Sequence, residues 1–293
     1  MSGRWGAVLT AMVTPFDANG ALDLDAAADV ARWLQDHGND GLVVAGTTGE
    51  APVLSEREKL DLWRAVSEAV TIPVVAGTGT NNTAETVELT SQAASTGAAG
   101  VLAVGPYYNR PPQAGLEAHF RAVAAATELP VMIYDVPSRT GRRIAHDVLV
   151  RLFNEEPNVV AFKDATGDPA GAAWLMADAP SLEIYSGDDS LTLALLAVGA
   201  VGVVGVGTHW MAPEMGDMIS AFEKGDVVRA REINARLLES YRFENSDTCV
   251  FSQAAKAMMR MLGLRVGECR LPLGPAPDGT EDRAREVWTH LHA

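Results

Sequence analysis

Short apolar runs recur along the chain at residues 7–16, 41–46, 73–79, 100–108, 130–137, 159–166, 182–189 and 201–207. Most are near-continuous in Val, Ile, Leu and Ala, without the polar alternation of a strand that shows one face to water. That pattern predicts parallel strands covered on both faces. Helical signals lie between them. Ser55-Glu56-Arg57-Glu58 reads as a capping box, in which the serine hydroxyl and the Glu58 carboxylate satisfy free N–H groups at a helix start. Leu60, Trp63, Val66 and Val70 then fall on one face. Asn82-Thr83-Ala84-Glu85 opens another helix that Gly97 closes, and Gly38 closes the helix beginning near Leu24.

Eight strand–helix units in the first 225 or so residues predict an α/β fold, a closed (β/α)8 TIM barrel. An open doubly wound sheet lacks support, because no GxGxxG follows the first strand. From about residue 226 the alternation stops, and the chain reads as helices at 226–241, 249–262 and 279–292. We therefore expect a catalytic barrel over residues 1–225 and a helical extension over 226–293 packed on it.

The 293 residues are 47% hydrophobic and 21% charged, enough for one large core. Aromatics are 6% while Ala, Val and Gly abound, which suits small helices packed closely over buried strands. The net charge of −15 argues against a nucleic-acid binder and fits a dispersed cytoplasmic protein. Cys249 and Cys269 have no metal spacing and are expected to be reduced thiols. Residues 1–6 lack the pattern of a signal peptide, and the glycine-broken run at 191–207 is too short to span a membrane.

In such a barrel the chemistry sits where strands end. Lys163 closes the apolar run Val159-Val160-Ala161-Phe162. Burial disfavours an ammonium, so this lysine reads as a nucleophilic amine suited to a Schiff base, or as a structural partner of a carboxylate such as Asp188. Tyr134, ending the fifth run, is a proton relay or a core tyrosine. Thr47 and Thr48, between two glycines, form a carboxylate cradle or a turn of small residues. Arg139 binds a carboxylate through its guanidinium or lies solvated on the surface. Metal chemistry is poorly supported: of the six histidines only His209 stands near a strand end, and only His290 and His292 lie close together, in the tail. Gly205-Val206-Gly207 has no basic neighbour and reads as a packing turn rather than a phosphate loop.

Together, Gly46-Thr47-Thr48-Gly49-Glu50, Gly105-Pro106-Tyr107-Tyr108-Asn109, Tyr134 through Gly141, Phe162-Lys163-Asp164 and Ser186-Gly187-Asp188-Asp189 resemble the dihydrodipicolinate synthase/N-acetylneuraminate lyase family, in order, over roughly residues 5–265. The resemblance implies that Lys163 forms an imine with pyruvate and that no other cofactor is needed. It implies that Tyr134 shuttles protons, with Thr48 linking it to Tyr108, a tyrosine that in the family comes from a neighbouring subunit of a homo-oligomer, commonly a tetramer. Thr47 and Thr48 would hold the pyruvate carboxylate, and the Gly187 and Val204 backbones would line the pocket. Arg139 would hold the carboxylate of aspartate semialdehyde. Arg139 and the paired threonines favour the family's synthases, which make 4-hydroxy-tetrahydrodipicolinate for lysine and diaminopimelate biosynthesis. A retro-aldol lyase acting on a 2-keto-3-deoxy sugar acid and a silent 2-keto-acid sensor are the alternatives.

Three departures stand out. Gly205 replaces a frequent serine, which is expected to alter the strand-8 wall. An Asn-Pro-x-Pro-Val-Lys-like segment is absent, with Asn245-Ser246-Asp247 and Ser252-Gln253-Ala254 nearby, a change expected to affect subunit packing more than chemistry. Asn81, Glu85 and Tyr107 match the family's lysine effector site, whereas Ala51, Glu56 and Lys59 do not match the serine and histidines of lysine-sensitive members.

Overall fold

The computed structural model describes residues 3–246 and 248–293; Met1, Ser2 and Asp247 of the sequence lie outside it. All eight expected strands form: β1 (Val8–Ala11), β2 (Gly41–Val44), β3 (Val74–Gly77), β4 (Gly100–Val104), β5 (Val131–Asp135), β6 (Val159–Asp164), β7 (Glu183–Ser186) and β8 (Gly202–Gly205). Each pairs in parallel with its sequence neighbours, and β8 returns to β1 to close the barrel. The strands are shorter than the apolar runs, because the last residues of each run leave the ladder to shape the loops above. Register places Tyr134 beside Lys163 and Lys163 beside Tyr185.

The helices are α1 (Leu24–Asp36), α2 (Glu56–Ala69), α3 (Thr83–Ala93), α4 (Gln113–Ala125), α5 (Pro137–Thr140), α6 (His146–Glu155), α7 (Pro169–Asp178), α8 (Thr192–Leu196), α9 (Thr208–Glu223), α10 (Val227–Glu244), α11 (Phe251–Met261) and α12 (Thr280–Leu291). The capping box of α2 is formed, Ser55 N–H donating to Glu58 at 2.9 Å and Glu58 N–H to the Ser55 hydroxyl at 3.3 Å. Asn82 caps α3, and Gly97 ends the one-turn extension of that helix with φ 85°. The Pro137–Thr140 segment is a single helical turn. Pro137 opens it with its φ preset, and Gly141 takes the left-handed position after it at φ 71°.

Two apolar layers hold the fold. Leu9, Val43, Val75, Leu102, Met132, Ala161 and Val204 fill the barrel interior, with Trp5 and Tyr185 packed among them. A larger layer joins the outer strand faces to the helices. The helices after β8 are not a separate body: residues of α9, α10, α11 and α12 belong to that same core, among them Met215, Ile233, Met258 and Val287. Among the described residues no helix is long and apolar enough to cross a membrane. Cys249 and Cys269 are buried and unpaired with each other.

Candidate active site

Two adjoining cavities open where the strands end. The more polar, of about 420 Å³, is lined by Thr47, Thr48, Tyr134, Arg139, Lys163 and Gly187, together with residues from the end of β7 and from α10 and α11. The other, of about 220 Å³, shares Thr47, Tyr134 and Arg139 and continues toward Ala51 and Tyr107. Six of the residues singled out from sequence thus meet in one cavity.

Lys163 lies at its floor, 5% exposed. Its Nζ sits 4.4 Å from the centroid of the Tyr134 ring. Loss of water around the ammonium lowers its pKa from an ordinary 10.5 to about 8, the negative charge of Asp189 opposing the shift and the positive charge of Arg139 adding to it. No carboxylate comes within ion-pair distance of Nζ among the described residues. The partner that acts on it at longer range is Asp189, not Asp188, so the structural salt bridge to Asp188 is absent. Gly187 makes the extended lysine possible: a β-carbon there would stand 3.0 Å from Lys163 Cγ and 3.1 Å from Cε.

Burial pushes the Tyr134 phenol up to about 12, so it stays protonated at neutral pH. Its side-chain hydrogen-bond partner is Thr47. The expectation that Thr48 links Tyr134 to Tyr108 is therefore not met within the subunit. Thr47 reaches both cavities, whereas Thr48 is turned into the larger one alone. Tyr108 lines neither cavity. It stands 90% exposed with φ 71°, a left-handed conformation unfavourable for a bulky residue. Arg139 is carried by α5 over the cavity, its guanidinium 5.1 Å from the Phe251 ring centroid and without a carboxylate partner among the described residues.

Val204 is a second correction. It is 1% exposed within the barrel interior, and the residue that lines the cavity here is Val206, just beyond the end of β8. The wall next to Gly205 is filled by Asp189, whose carboxylate would collide with a β-carbon there and accepts a 2.8 Å hydrogen bond from Val206 N–H. Burial raises Asp189 to about 6. His209 carries no free ring nitrogen for a metal: Val13 N–H donates to Nε2 at 3.1 Å, Nδ1 meets the Val206 carbonyl at 2.7 Å, and burial lowers its pKa to about 4.

The divergent C-terminal helices bear on the site directly, contrary to the expectation that their departure concerns subunit packing more than chemistry. Tyr241 and Glu244 of α10, Asn245 after it and Phe251 of α11 line the cavity. Lys256 of α11 forms a fully buried 2.7 Å ion pair with Glu50, the last residue of the Gly-Thr-Thr-Gly-Glu turn, and Glu50 also accepts from Arg270 N–H at 2.8 Å. The extension thereby pins the threonine turn. Sequence reading missed Glu244, although one signal was present: an acid in the last turn of a helix faces the unfavourable end of the dipole.

At the outer edge, Asn81, Glu85 and Tyr107 come together. The Asn81 backbone hydrogen-bonds the Tyr107 phenol, whose pKa is raised by burial and by the Glu85 charge. Lys59 is buried beside them, its pKa lowered by desolvation against the pull of Glu85 and Glu56.

A closed barrel with a desolvated lysine at the end of its sixth strand, under a phenol and a free guanidinium, defines an imine-forming lyase of the (β/α)8 class. The family model "Dihydrodipicolinate synthetase family" matches residues 4–291. A 4-hydroxy-tetrahydrodipicolinate synthase from Acidothermus cellulolyticus is 52% identical over 285 residues, covering 96% of this chain and 91% of that protein. The 4-hydroxy-tetrahydrodipicolinate synthase 2 of Streptomyces coelicolor is 51% identical over 280 residues, covering 94% and 92%. Among solved structures, the enzyme from Cyanidioschyzon merolae with lysine bound superposes with a TM-score of 0.95 at 39% identity over 98% of each chain. This chain belongs to the dihydrodipicolinate synthetase family.

Proposed function

We propose that the chain is a 4-hydroxy-tetrahydrodipicolinate synthase, condensing pyruvate with L-aspartate 4-semialdehyde in the cytoplasm for lysine and diaminopimelate biosynthesis. The reading rests above all on Lys163, a buried amine held near pKa 8 against the Tyr134 ring with an unpaired Arg139 above it. The amine adds to pyruvate C2, and loss of water leaves the imine. Loss of a methyl proton gives the enamine, whose carbon attacks the aldehyde. The substrate's amino nitrogen then attacks C2, closes the ring and displaces Lys163, so one water is released overall and no external cofactor is consumed. Tyr134 and Thr47 carry protons, Thr47 and Thr48 hold the pyruvate carboxylate, and Gly187 and Val206 complete the wall. Arg139 holds the carboxylate of the aldehyde.

Tyr108, exposed and outside its own cavity, supports a homo-oligomer, as a tetramer, in which it reaches a neighbouring site. Residues 226–293 act as an extension that completes the barrel's site rather than as a separate module.

The test is a coupled assay of the purified protein with pyruvate and aspartate semialdehyde beside a panel of 2-keto-3-deoxy sugar acids. Borohydride trapping and mass spectrometry then locate the pyruvate adduct. Turnover of a sugar acid in preference to the semialdehyde, or an adduct away from Lys163, would overturn the reading.

A further inference from the structure

The cavity beside Lys163 is also lined by three carboxylic acids, Asp188 and Asp189 from the end of β7 and Glu244 from the last turn of α10. Glu244 is 4% exposed, and its Oε2 accepts from Gly207 N–H at 3.0 Å. Asp189 is 2% exposed and leaves Oδ1 without a hydrogen-bond partner. Neither acid forms an ion pair among the described residues. Three acids gathered in a partly desolvated wall, one at the negative end of a helix and only Asp189 feeling the charge of Lys163, favour a further cation beside them. Burial above all, with the charges of Asp189 and then Asp188, holds Glu244 well above the usual carboxylate range, and an ammonium beside it would favour the ionised form.

Aspartate semialdehyde brings three groups. Its aldehyde meets the enamine on Lys163 and its carboxylate meets Arg139. The roles assigned above leave its ammonium without a counterpart. We propose that Glu244, with Asp188 and Asp189 beside it, receives the α-ammonium of the aldehyde substrate, making Glu244 a specificity-determining residue of the condensation. This rests on the functional reading above. It also accounts for the divergent C-terminal segment at the site: the chain places an acid where the aldehyde substrate must be told apart from aldehydes lacking the amino group.

The experiment compares aspartate semialdehyde with succinate semialdehyde, which has the same carbon chain without the amino group. In the wild type, succinate semialdehyde should compete with a Ki at least about tenfold above the KM for aspartate semialdehyde, the worth of one charge-assisted hydrogen bond. In Glu244→Gln, which keeps the shape and an acceptor for Gly207 N–H, that KM should rise about tenfold while the Ki of succinate semialdehyde changes by less than about twofold. Borohydride trapping of pyruvate on Lys163 reports that the variant site is folded. Equal wild-type binding of the two aldehydes, an unchanged KM in the variant, or an equal loss for both aldehydes overturns the proposal. If the wild type fails to condense pyruvate with aspartate semialdehyde at all, it is the functional reading that falls.

Discussion

Replacing Lys163 with methionine should abolish imine formation and yet stabilise the protein at neutral pH. The folded site lowers the lysine pKa from 10.5 to about 8, by burial above all. That difference corresponds to about 3 kcal/mol, since each pKa unit is worth about 1.4 kcal/mol. The folded lysine gives up its proton near 8, while the unfolded lysine keeps it up to about 10.5. The unfolded state therefore binds more protons between these values, and stability rises with pH across that window. Below 8 the full penalty is present. Methionine fills nearly the same space without a charge, so Lys163→Met at pH 7 should gain about 3 kcal/mol, or roughly 5 °C in melting temperature for a chain of this size. The gain should shrink as pH climbs from 8 toward 10.5. The assay is thermal unfolding of both proteins at matched oligomer concentration from pH 6.5 to 10, with borohydride trapping of pyruvate in parallel. In the wild type, trapping should rise with pH and level off above about 8. At pH 7 about one lysine in eleven is the free amine, against about one in three thousand for an unshifted group. A variant that melts at or below the wild type at pH 7 would refute the claim that desolvation activates this nucleophile.

Three further outcomes are expected. Arg139→Ala should cost about 2–4 kcal/mol in kcat/KM for aspartate semialdehyde, the loss of a charged carboxylate contact. Pyruvate trapping near neutral pH should slow slightly in the same variant, because the guanidinium helps to lower the Lys163 pKa; wild-type turnover of the semialdehyde would remove the substrate-binding role. Lys256→Met should destabilise the chain by about 3 kcal/mol, since it strands the buried Glu50 carboxylate, and should raise the KM for pyruvate as the threonine turn loosens; an unchanged melt and KM would show that the pair does not hold the turn. Lysine should inhibit weakly or not at all, because the buried Lys59 already brings an ammonium to Glu85 and Glu56; half-inhibition at sub-millimolar lysine in an initial-rate titration would refute this.

Most of the fold was legible because it is written in local repetition. Eight apolar runs separated by helical periods imply βα units, and their number implies closure. The capping box at Ser55 and the caps at Asn82 and Gly97 involve residues a few positions apart, so spacing alone revealed them. Lys163, Tyr134, Thr47, Thr48, Arg139 and Gly187 were legible for the same reason: each stands at or just beyond a strand end, and in a barrel those ends converge.

What the sequence could not decide is which side chains meet across the mouth. Thr47 and Thr48 are neighbours of identical chemistry, and only the direction of the turn selects Thr47 as the partner of Tyr134. Val206 displaces Val204 as the lining residue because the depth of the cavity depends on how far the loops rise above β8. Asp189 fills the space beside Gly205, and Glu244 reaches Gly207 from a helix thirty-seven residues away. Lys256 meets Glu50 across most of the chain, because α11 folds back over the barrel end. Such contacts leave no periodic trace in the sequence, since nothing local requires an acid at 244 or a lysine at 256. The strands, the helices and the nucleophile followed from the order of residues along the chain, whereas the charge lining of the cavity was set by how the last helices pack against the first turns.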